Sequence, residues 1–128
     1  MTLTEALATL HRAGRIERAW LAGMLATTDR DGSVRCVTAF DWSDDVPGDY
    51  EPDLTDPATV GCLLALLREA SGDPRLSVVA DAEGGDTWEV VKPDHEWGFL
   101  DAFPGNPCRG STEGAAIAAA LIALAEQA

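Results

Sequence analysis

Basic residues are scarce in this sequence: nine lysines and arginines stand against 22 aspartates and glutamates, a formal net charge of −13. An excess of that size repels phosphate backbones and anionic membrane surfaces and attracts basic proteins, which argues against direct nucleic-acid binding and against membrane association. Long apolar runs are missing too. The Ala-rich stretch 114–125 is too short and too weakly apolar to span a bilayer. The N-terminus lacks the basic-then-apolar layout of a signal peptide, so the expected location is cytoplasmic. The three cysteines, Cys36, Cys62 and Cys108, are far apart and form no CxxC pair. A disulfide framework or a zinc site is therefore not expected, and Cys62 reads as a small buried hydrophobe within a Leu-rich helix.

What is present suits a single domain covering residues 1–128. Hydrophobic residues make up 46 % of the chain, enough to bury a core without outside help. Thr2 with Glu5 three residues on reads as a capping box, followed by an apolar stripe of Leu3, Ala6, Leu7 and Leu10 that Gly14 ends. Two strands over 20–27 and 33–40 flank Asp29, Arg30, Asp31 and Gly32, a hairpin signal. Residues 41–55 hold six acids and no base, and read as an acidic loop. A second helix is expected with Asp56 as its cap and Pro57 in its first turn, burying Val60, Leu63, Leu64 and Leu67 and stopping near Gly72 ahead of Pro74. Strands over 75–82 and 87–92 flank Glu83, Gly84, Gly85 and Asp86, and a short fifth strand falls over 97–103. Ser111 or Thr112 then caps a last helix whose face is Ile117, Ala120, Leu121 and Leu124.

The order αββαββα predicts an α+β fold in two layers: an antiparallel sheet of four to five strands packed with three helices.

Chemical motifs are weak. Asp29 and Asp31 before Gly32 resemble the start of a calcium loop whose later ligands are missing, so no metal is expected. Asp94, His95, Glu96 and Asp101 lie close together, yet Pro93 and the turn-like context favour a solvated surface loop. A Cys108 nucleophile with His95 as its base is the enzymatic alternative, and little around Cys108 beyond Arg109 and the following helix start would lower its pKa. Gly84 and Gly85 are turn glycines rather than a phosphate cradle, because their acidic neighbours would repel phosphate. No catalytic residue and no cofactor follow from these patterns. Trp20 and Trp88 read as core residues. Trp42 and Trp97 sit beside acid clusters and read equally as core or as interface anchors.

The segment from Pro52 through Ala70, followed by Gly72, Asp73 and Pro74, is similar to a segment of small uncharacterised proteins encoded by bacteriophages and prophages. Trp88, on a strand, and the Thr112-Glu113 opening of the last helix occupy matching places, whereas residues 1–40 resemble the group only weakly. The resemblance implies a phage setting and a host-cell cytoplasm, and carries over no catalytic residues. Small acidic proteins of this kind often block a host defence complex. This chain departs from the group in its charge. Residues 1–40 carry five arginines against four acids, whereas residues 41–128 carry four bases against eighteen acids. The expected activity is thus non-enzymatic: an anti-CRISPR-like inhibitor presenting a nucleic-acid-mimicking face to a basic host protein or nucleoprotein complex. Its expected interface comprises Asp41, Trp42, Asp44, Asp45, Asp49, Glu51 and Asp53, with Asp94, Glu96, Trp97 and Asp101. The alternative is a phage accessory protein that binds through an apolar patch or forms a homodimer through its Ala-rich helix, its charge serving only solubility.

Overall fold

The computed structural model describes residues 1–38, 49–80, 87–94, 98–101 and 108–128, of which 93, 94 and 98–101 are described by their backbone. Helix α1, Leu3–Arg12, opens with the expected capping box: the Thr2 hydroxyl accepts the Glu5 N–H, and the Glu5 carboxylate accepts the Thr2 N–H, each at 3.1 Å. At its other end Gly14 takes a left-handed conformation (φ +73°), its N–H bonding the His11 carbonyl. The Arg15 N–H then reaches back to the Leu10 carbonyl, so the carbonyls of Leu10 and His11 in the last turn are satisfied.

Strands β1, Leu25–Thr27, and β2, Val34–Cys36, pair antiparallel with Ala26 opposite Arg35, around a turn in which Gly32 has φ +72°. Both are shorter than expected. Gly23, at φ +97°, turns the chain just before β1, so Trp20 enters the core from a loop and not from a strand. The second edge of β1 is taken by β3, Glu51–Pro52, within the region expected as loop.

Helix α2, Pro57–Ser71, is capped by the Asp56 carboxylate on the Thr59 N–H and closed by Gly72 in the left-handed region, as its end signals foretell. Strands β4, Ser77–Ala80, and β5, Trp88–Asp94, pair antiparallel. The other edge of β5 carries β6, Gly98–Asp101, and β7, Arg109–Gly110. Helix α3, Glu113–Gln127, is capped by Thr112 on the Ala115 N–H at 3.1 Å.

Among the described residues the fold is α+β with three helices, but the expected single sheet of four to five strands is two separate antiparallel sheets, ordered β2-β1-β3 and β4-β5-β6 with β7 also on β5. β3 occupies the edge of β1 opposite its hairpin partner, and this completes a three-stranded sheet before α2 begins. The helices are not simply laid on one sheet either. α3 is central, packing against α1, α2 and strands β4, β5 and β7. A helix apolar on all sides belongs inside. The small side chains of α3 let several elements approach it at once, and Ala116, Ala118, Ala120 and Ala125 are buried with Ile117, Leu121 and Leu124. Ala115, Ala119, Ile122 and Ala123 of this helix stay half-buried. One buried cluster links the three helices with Trp20, Met24, Val37 and Val90.

Arginines hold the far end of α2 in place. The Arg15 guanidinium donates twice to the Ala70 carbonyl, at 2.6 and 3.0 Å, and Arg68 Nε donates to the Leu76 carbonyl at 2.8 Å. Cations at a helix C-terminus also meet the negative end of its dipole.

Candidate functional site

Of the acids and tryptophans expected at an interface, Asp41, Trp42, Asp44, Asp45, Glu96 and Trp97 lie outside the described residues. Asp94 and Asp101 sit at opposite ends of the β5–β6 pairing, Asp94 facing Gly98 and Asp101 facing Val91 in register. The remaining three have local partners. Asp49 accepts from the Thr28 hydroxyl at 3.3 Å and pairs with Arg30 at 3.5 Å. Glu51 accepts the Thr4 N–H at 3.3 Å, while the Thr4 hydroxyl donates to the Tyr50 carbonyl at 2.6 Å; the carboxylate thus serves an otherwise unsatisfied amide in the first turn of α1. Asp53 accepts from the Thr55 hydroxyl at 2.6 Å and from the Thr55 N–H at 3.0 Å, and these bonds hold its carboxyl below the usual range. Asp49 and Glu51 share a recess of about 190 Å³ with Asp29, Arg30 and the threonines of the β1–β2 turn, whereas Asp53 is turned toward Thr55 on a different cavity.

Cys108 is only 4 % exposed, and burial pushes its thiol up, the reverse of what a nucleophile needs; His95 lies outside the described residues. Cys62 is half-buried against the core and its thiol is pushed up by burial and by nearby Asp56. Asp31 is engaged by its own turn, accepting the Ser33 N–H at 2.9 Å. Among the described residues no group of three metal-ligating side chains occurs. No helix among them is long and apolar enough to cross a membrane.

The larger cavity is an apolar groove of about 550 Å³ between the N-terminal halves of α2 and α3. Leu64 and Ile117 line it with Val78 of β4; Pro57, Val60 and Gly61 form the α2 wall; Thr55, Thr112 and Glu113 form its polar margin. Val60 and Leu64 are thus not the core residues expected. The buried face of α2 is Thr59, Leu63, Leu66, Leu67 and Ala70, which leaves Val60 and Leu64 half-buried on the groove. A signal for the groove was present, because α2 carries more apolar positions than one buried stripe uses, together with a glycine in its interior. Gly61 costs about 0.5–1 kcal/mol relative to alanine at such a position. Its φ is not in the left-handed region, and a Cβ built on it meets nothing within 4 Å. Gly114 differs: a Cβ there would lie 2.7 Å from the Leu54 carbonyl oxygen, so its small size serves close packing.

Searches of family models, of curated proteins and of solved structures found nothing that matches this chain.

Proposed function

We propose that this protein is a non-enzymatic interaction protein whose acidic surface occupies a basic, nucleic-acid-binding groove on a host protein, as an anti-CRISPR-type mimic does. The observation that carries the reading is the uncompensated charge. Eighteen of the 22 acids fall within residues 41–128, where only four bases accompany them. Among the described residues, Arg15 and Arg68 donate to backbone carbonyls. The ion pairs Arg30–Asp49, Arg75–Asp73 and Arg109–Glu89 span 3.3–3.5 Å, and the arginine of each is more than half exposed, so water screens much of their attraction. A field of this kind steers basic partners at long range and fades as salt rises.

A pull-down from a bacterial lysate at low salt tests the proposal. A basic nucleic-acid-binding protein should be recovered, and added nucleic acid should displace it. Recovery of no such protein, or recovery that nucleic acid leaves unchanged, contradicts the reading.

The apolar groove favours a second reading, an accessory protein that binds through an apolar surface while its charge serves solubility. Under that reading, Asp41→Asn, Asp44→Asn and Asp45→Asn together leave partner binding intact. The burial of Cys108 weighs against a hydrolase, and an unchanged phenotype in Cys108→Ala and His95→Ala would remove that option.

A further inference from the structure

We propose that the groove between α2 and α3 seats an apolar side chain from a cationic segment of the partner, so that the groove anchors what the acidic surface attracts. The inference rests on the interaction reading above and adds to it a defined place of contact.

Gly61 supplies the first argument. A glycine in a helix interior is unfavourable and needs a reason. Neither backbone conformation nor close packing provides one, since its φ is ordinary for a side-chain-bearing residue and a Cβ there meets open space. A side chain longer than alanine at this position would narrow the α2 wall of the groove, which Gly61 helps to line. The half-buried Val60, Leu64 and Val78 around it form an apolar surface that the described chain leaves partly uncovered. The groove also has the capacity of a side-chain or ligand pocket, which falls at roughly 300–1,000 Å³.

Charge selects the occupant. Among the described residues of the lining, Glu113 is the charged one and no base accompanies it. The N-terminus of α3 brings about half a positive charge to the same margin, which the full negative charge of Glu113 outweighs. Asp53 stands just behind Thr55 with its carboxylate held ionised by two hydrogen bonds. A leucine flanked by lysines or arginines matches this arrangement, and an anionic ligand does not.

The test is a titration of the isotope-labelled full chain with a synthetic peptide carrying leucines and lysines at helical spacing. A leucine-to-serine analogue and a lysine-to-glutamate analogue run beside it. The leucine–lysine peptide should shift the resonances of Val60, Gly61, Leu64 and Ile117. Gly61→Phe, which fills the groove without changing the net charge, should weaken binding by about tenfold, equivalent to about 1.4 kcal/mol. Gly61→Ala controls for folding and should bind like the parent. The inference is overturned if Gly61→Phe binds as the parent does, if the glutamate analogue binds at least as well, or if shifts arise elsewhere. Serine and leucine peptides that bind equally, with the same salt dependence, also overturn it, while the electrostatic reading stands. Failure of every cationic peptide to bind at low salt removes both.

Discussion

Thr59 has no exposed surface, and its hydroxyl serves two elements at once. It donates to the Asp56 carboxylate at 2.7 Å and accepts the Leu25 N–H at 2.8 Å, tying the first turn of α2 to the start of β1. Thr59→Val preserves the shape and removes both bonds, leaving a buried amide unsatisfied. A loss of about 1–3 kcal/mol is expected in denaturant unfolding, with Thr59→Ser retaining more of the stability. Three aspartates make a parallel case. The Ser33 hydroxyl and N–H hold the Asp31 carboxyl down, the Thr55 hydroxyl and N–H do so for Asp53, and the Arg75 N–H and guanidinium for Asp73. Folded values below the ordinary 3.8 mean that these groups stabilise the fold above that pH and cease to do so as pH falls through the lowered values. Circular dichroism across an acid titration should therefore show stability falling below pH 3.8, and the triple Asn variant should show a shallower fall.

Among the elements, the three helices were legible because their ends are written in neighbouring residues: Thr2 with Glu5, Asp56 with Pro57, Thr112, and the closing Gly14 and Gly72. The sheets were less so. Pairing depends on partners distant in sequence, and nothing local announces that Glu51–Pro52 joins the first sheet beside Leu25–Thr27. The strand expected over 20–27 runs through Gly23, where a positive φ ends any extended run. The central position of α3 was hidden for a related reason, since alanine reads as a weak apolar residue although its small size admits neighbours on every side. At the candidate site, the acids near β3 were identified, but their local duties were not, because Thr4 and Arg30 lie far from them in sequence. The two helical glycines now separate by experiment. Gly61→Ala should raise stability by about 0.5–1 kcal/mol. Gly114→Ala should lower the melting temperature, because its Cβ would lie 2.7 Å from the Leu54 carbonyl oxygen and 3.0 Å from the Leu54 Cβ. The opposite order in thermal unfolding would contradict the packing described.

Across the molecule, charge and fold are coupled wherever an acid has a structural partner. Glu51 and Asp53 are engaged by Thr4 and Thr55, so replacing them would disturb α1 and the approach to α2 together with the field. Asp41, Asp44 and Asp45 lie outside the described residues and carry three of the negative charges of the interface expected from the sequence. The most direct measurement is the affinity for the captured partner against salt concentration, for the parent and for the combined Asp41→Asn, Asp44→Asn and Asp45→Asn variant. The account predicts affinity that falls steeply with salt in the parent, and a weaker, flatter dependence in the variant. Superimposable curves that salt leaves unchanged would contradict it.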